Sequence, residues 1–292
     1  MNNTNPWGDV VLPSRPEYRL SAMLLTFFLA LLNIGMYIWQ VNYASPLADP
    51  VYNMLLAGGS VYQFSLTGDW WRYATSTLLH SDPVHLGINT IALLVFGINC
   101  EALTGKVRML FIYLLTGITA SFTSALRQSA QDDMSVMSGI SVIVGVGASG
   151  AIMGLAGATV IYLIRARKDP SVPVADNLRY KNLLITMIVL IVLSMLSTLQ
   201  SDDEVITDDT AHFSGLICGA VLGWLYSAAS GIRNRKADRR SWLISAIAGG
   251  LLILVLVTCS SSREQRLLYE RETIREEIGI MIDAQAEKQL ND

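Results

Sequence analysis

Seven apolar stretches dominate the sequence and limit the architectures open to it. They run over roughly 22–41, 84–103, 109–126, 141–164, 183–200, 211–229 and 242–259. Each approaches or reaches the length needed to cross about 30 Å of hydrocarbon. Backbone N–H and C=O groups inside lipid have no water to bond. Each span is therefore expected to be a helix, and the class an all-α, polytopic membrane bundle. Composition agrees: of 292 residues, 52% are hydrophobic and only 15% charged, with the apolar residues in blocks. The net charge of -3 argues against a nucleic-acid partner. Cys100, Cys218 and Cys259 all fall in or at apolar spans. Their odd number and their spacing suit neither a disulfide framework nor a zinc site, so no metal and no cofactor are expected.

The basic residues set the expected orientation. With the N-terminus inside, the inner segments hold 14 of the 21 Lys and Arg, and the outer loops hold only Arg72 and Arg127. This asymmetry predicts a cytoplasmic N-terminus and an external C-terminus. The first span is too long for a signal-peptide core and lacks a small-residue cleavage site, so it is expected to be retained. Four segments follow: a cytoplasmic leader 1–20, a core 21–230, an additional transmembrane helix 241–260 and a polar tail 261–292. In the tail, Ile274, Ile278 and Ile282 are four apart, the pattern of an amphipathic helix. Self-association or substrate docking is open to it, but a solvated tail is the simpler expectation.

Small residues recur every four positions on two spans: Gly150, Gly154 and Ala158 on the fourth, Gly215, Gly219 and Gly223 on the sixth. Such faces let helix backbones touch. Ser149 precedes the first small residue of its span by one, and His212 precedes the first of its own by three. Both spans run from outside to inside, so contact would bring Ser149 and His212 to similar depth. The second span starts on the same side with His85 and Asn89, four apart and so on one helix face. Taken alone, Ser149 reads as a packing residue and the His85–Asn89 pair as a buried polar link between helices. Taken together, four polar side chains gather at one depth. A serine hydroxyl is a weak nucleophile until a base takes its proton. Neutral imidazole can do that near pH 7. The resulting oxyanion needs preorganised donors, which His85, the Asn89 amide and the Ser149 N–H can supply. No carboxylate in these spans is placed to orient His212, so a Ser–His dyad is expected rather than a triad.

The long outer segment, about 43–79, carries Asp69-Trp70-Trp71-Arg72-Tyr73. One reading has the rings anchored at headgroup level and Arg72 on a lipid phosphate. The other is a structured loop beside the site. Arg127 to Asp133 reads as a short outer loop, and Glu101 as a structural acid at the inner end of the second span.

These residues resemble the rhomboid family of intramembrane serine proteases. The resemblance rests on Trp71-Arg72, on His80, His85 and Asn89, on Gly147-Ala148-Ser149-Gly150, and on Ala211-His212 followed by Gly215 and Gly219. Glu101 and Gly105 also match. It covers about residues 20–230, and the seventh span fits the family's six-plus-one variant. It implies a rhomboid-like six-helix core with the serine helix at the centre and water reaching the site from outside. The loop between spans five and six would cap the site, and span five would move to admit a substrate helix. Ser149 would be the nucleophile and His212 the base. His85, Asn89 and the Ser149 N–H would form the oxyanion hole, with Gly147, Gly150, Trp71, Arg72, Gly215 and Gly219 in support. One departure is Met153, where many members carry an aromatic ring stacked on the base; a thioether can pack there but orients it more loosely. The implied partners are the lipid bilayer and single-span membrane protein substrates, in a bacterial plasma membrane. The alternative function is a non-catalytic rhomboid-like protein that binds or escorts membrane helices, although that class typically lacks the serine or the histidine. A seven-span transporter is disfavoured, because its polar groups would be expected near the midplane.

Overall fold

The computed structural model describes residues 23–44, 46–132, 140–170, 174–199, 208–230 and 238–291. The described helices, in chain order, are α1 (Leu24–Tyr43), α2 (Pro50–Leu56), α3 (Tyr62–Ser65), α4 (Arg72–Thr75), α5 (Pro83–Thr104), α6 (Lys106–Asp132), α7 (Ser149–Lys168), α8 (Val174–Leu199), α9 (Asp209–Ser230), α10 (Arg239–Cys259) and α11 (Gln265–Asn291). Seven of them, α1 and α5 to α10, are long and apolar enough to cross a membrane. Among the described residues there is no β-strand, only two isolated bridges.

Burial ranks the spans. In the apolar window of α7, 72% of residues are buried within the protein, against 17% for α8 and 11% for α10. So α7 is the central helix, packed against α5, α6, α8 and α9, and α10 faces lipid. A buried cation ties α10 on: Arg108 of α6 donates to the Ser241 hydroxyl at 2.8 Å.

Local chemistry sets the helix ends. Asp82 accepts from the Val84 and His85 N–H groups, and Pro83 opens α5 without a donor to lose. Gly105, at φ 82°, closes it, its N–H reaching Glu101 O. At the start of α1 no local side chain caps the first turn. Glu101, buried on α5, accepts from the N–H groups of Leu25 and Thr26 and from the Thr26 hydroxyl instead. One carboxylate thus satisfies donors that would otherwise be orphaned.

Four expectations are corrected. The fourth apolar run is helical only from Ser149; residues 140–147 are not helical. In that segment Gly145 and Ser60 exchange backbone hydrogen bonds of 2.7 and 3.0 Å. Composition alone does not distinguish a packed extended segment from a helix. Next, Arg127 to Asp132 is no loop, because α6 continues through it. Third, Arg72 is buried and serves the protein rather than a headgroup. It donates to Leu55 O and Gly59 O at 2.7 and 3.1 Å and pairs with Asp69 at 3.2 Å. It also lies 4.6 Å from the Trp71 ring centroid. Finally, the tail is not solvated throughout: Leu267, Ile274 and Ile278 are buried, whereas Ile282 is exposed. The leader 1–20 and residues 200–207 of the loop expected to cap the site lie outside the described residues.

Candidate active site

The site is assembled from the starts of α5, α7 and α9. Ser149 is the first residue of α7 and half-buried. No side chain caps that helix. Its first N–H groups therefore have no side-chain acceptor, and the helix dipole favours negative charge beside them.

The approach to Ser149 is fixed at Gly147. Its φ is +126°, and its N–H donates to Ser76 O at 2.9 Å. A Cβ there would lie 2.9 Å from His85 Cε1 and Nε2 and 3.6 Å from Asn89 Nδ2. Only glycine can adopt this backbone and admit those side chains. Asn89 is buried, and its Nδ2 has no hydrogen-bond partner among the described residues. Buried donors are rarely left unpaired without a reason.

His85 is held from behind. Its Nδ1 lies 3.0 Å from Ser81 Oγ, which also reaches Asp82 Oδ2 at 2.8 Å. Its ring meets the buried His80 ring edge-on, with centroids 5.2 Å apart. His80 in turn is gripped through its backbone: its N–H donates to Gln40 Oε1 and its carbonyl accepts from Gln40 Nε2. Ser81 and Gln40 were missed by the sequence reading. The i, i+4 spacing of Ser81 and His85 was the available signal for the first; nothing local marks the second.

The glycine faces of α7 and α9 meet in the expected register. A Cβ on Gly215 would lie 2.2 Å from Gly150 O, and one on Gly219 would lie 1.9 Å from Gly154 O. A Cβ on Gly150 would sit 3.5 Å from Ala211 O. The residue after Ser149 therefore lies level with the residue before His212. His212 also lies within electrostatic reach of His85 and of Asp208 and Asp209 at the start of its own helix. Its Nδ1 has no hydrogen-bond partner among the described residues. Met153 is buried one turn below Ser149.

Comparison with known proteins identifies the family. A family model described as Rhomboid domain matches residues 67–229, more than half of the chain. The chain belongs to the rhomboid family. This rhomboid is 40% identical to Rhomboid protease AarA of Providencia stuartii over 279 residues, 94% of this chain and 95% of that protein. It is 28% identical to Rhomboid protease GluP of Bacillus subtilis over 254 residues, 86% of this chain but 44% of that larger protein. RHOMBOID-like protein 5 of Arabidopsis thaliana is 30% identical over 161 residues. Similarity over nearly the whole length of a rhomboid protease, with seven membrane-length helices, makes this rhomboid a multi-pass integral membrane protein and a serine endopeptidase.

Proposed function

We propose that this rhomboid cleaves single-span membrane proteins in or near their transmembrane segments, using Ser149 as nucleophile and His212 as general base. The observation that supports the assignment best is the buried Asn89 Nδ2, without a hydrogen-bond partner among the described residues, beside Gly147, two residues before the serine. A buried donor left without a partner beside a nucleophile suits an oxyanion that exists only in the transition state.

In the reaction, His212 takes the hydroxyl proton as Ser149 Oγ attacks the scissile carbonyl. The oxyanion receives hydrogen bonds from Asn89 Nδ2, His85 and the Ser149 N–H. His212 then returns its proton to the leaving amine, and a water deacylates the enzyme by the same base. For His85 Nε2–H to donate, Nδ1 must be the acceptor on the ring, so Ser81 must give its hydroxyl proton to Nδ1 rather than to Asp82. Orientation of His212 rests on packing, since no carboxylate bonds its Nδ1 among the described residues. The charge asymmetry supports a cytoplasmic N-terminus, with the site opening to the exterior of a bacterial plasma membrane.

The test is covalent labelling of purified protein with a fluorophosphonate, in which Ser149 Oγ displaces fluoride from phosphorus. Wild type should label, and Ser149→Ala and His212→Ala should not. Equal labelling of wild type and Ser149→Ala, with no cleavage of single-span substrates, would overturn the assignment and favour a helix-binding role.

A further inference from the structure

We propose that α11, the helix after the last span, is a positioning element of the active site, acting through Glu270 on the segment that leads into Ser149 and through Arg271 on the outer loop packed against that segment. This rests on the catalytic assignment above.

The helix returns to the face of the bundle where α5, α7 and α9 begin, and it grips both the outer loop and the serine segment. Ile274 and Ile278 share one buried cluster with Leu55, Val61 and Phe64 of the loop. Ile140, Val142 and Val144, from the segment ahead of Ser149, pack on that same cluster. The polar contacts run in parallel. Gln63, wholly buried, donates through Nε2 to Glu270 Oε2 and to Ser141 O, both at 3.1 Å. Glu270 itself is held by Arg266 at 3.1 Å and by the Tyr62 hydroxyl at 3.2 Å. One side-chain amide thus joins α11 to the serine segment. Arg271 donates to Thr67 O and to Asp69 Oδ1, both at 2.7 Å, and its guanidinium lies 5.2 Å from the Phe64 ring centroid. Asp69 is also the partner of Arg72, so the two arginines share one carboxylate.

From these contacts the path to the site is short. Ser141 and Val144 lead to Gly145, which is paired with Ser60, and then to Gly147, whose backbone meets His85 and Asn89. An apolar cover would need only the isoleucines. Buried hydrogen bonds add a fixed register, because each loses its energy when the partners slide. Small displacements at a catalytic centre are costly: a 1 Å misplacement can cost about a hundredfold in rate.

The test uses the full-length protein in a bilayer mimic, well below its unfolding temperature. Three quantities are measured: the rate of fluorophosphonate labelling at Ser149, and kcat and KM on a single-span substrate. Glu270→Ala and Arg271→Ala should each slow labelling and kcat by about tenfold, with KM unchanged. Glu270→Gln keeps an acceptor for Gln63 and should restore the wild-type rate. The proposal is overturned if the alanine variants lower thermal stability but label at the wild-type rate. It is equally overturned if they raise KM alone, which would make α11 a substrate dock. A wild type that shows no Ser149-dependent labelling would instead overturn the site assignment, and this proposal with it.

Discussion

At the scale of single residues, the site depends on one glycine and the two side chains that crowd it. Gly147→Ala would place a methyl group 2.9 Å from the His85 ring on a backbone at φ +126°. The chain must then shift next to Ser149. Activity should fall about a hundredfold, with the bundle intact; labelling kinetics and a melting curve on the same sample check both halves. His80 makes a separate prediction. Burial pushes its imidazole down to about 4, and the neighbouring His85 ring adds to the effect. Its folded value lies below the unfolded one. Its contribution to stability is therefore complete above about 6.5 and is lost as pH falls toward 4. The melting temperature should drop across that window, and His80→Asn should flatten part of the slope. Ser149, His212, His85 and Asn89 were visible in the sequence because membrane spans make polar residues conspicuous. Ser81 was not, because it lies outside the apolar runs, where a polar residue carries no signal; Gln40, at the end of the first span, meets its partner His80 only through the fold, forty positions along the chain.

Individual helices depend on distant partners for their ends and their spacing. Glu101 lies more than seventy residues from the α1 donors it satisfies. Glu101→Ala would leave buried N–H groups unpaired and should destabilise the fold by about 1–3 kcal/mol, measurable by denaturant titration in detergent. Activity per folded molecule should persist, since the α1 end of this contact is remote from Ser149. The every-four spacing of small residues was enough to anticipate the α7–α9 face, because close backbone approach admits few other side chains. The start of α7 was misjudged for a related reason. Val142 and Val144 are apolar because they pack against the outer loop, and an apolar residue does not record what covers it.

For the molecule as a whole, the sequence conveyed the number of spans but not the return of the tail. Only the spacing of Ile274 and Ile278 hinted at an apolar face, and spacing does not say whether that face meets lipid, a second chain or the loop of its own. If the basic residues orient the chain as expected, α11 lies outside the cell membrane with the site. A C-terminal epitope tag should then be removed by protease added to intact spheroplasts, and an N-terminal tag should be protected. The reverse pattern would refute that orientation.

The contact between Asp69 and Arg271 joins residues 202 positions apart. It cannot close until the ribosome has delivered the chain as far as Arg271, after α10. A chain ended early by a stop codon after Ser262 would keep the seven membrane-length helices among the described residues, the serine and the histidine, and still lack the strut beneath them. The timing of synthesis would then act as a safety catch, so that a half-made chain sits in the membrane among other nascent chains with Ser149 and His212 present but not yet aligned.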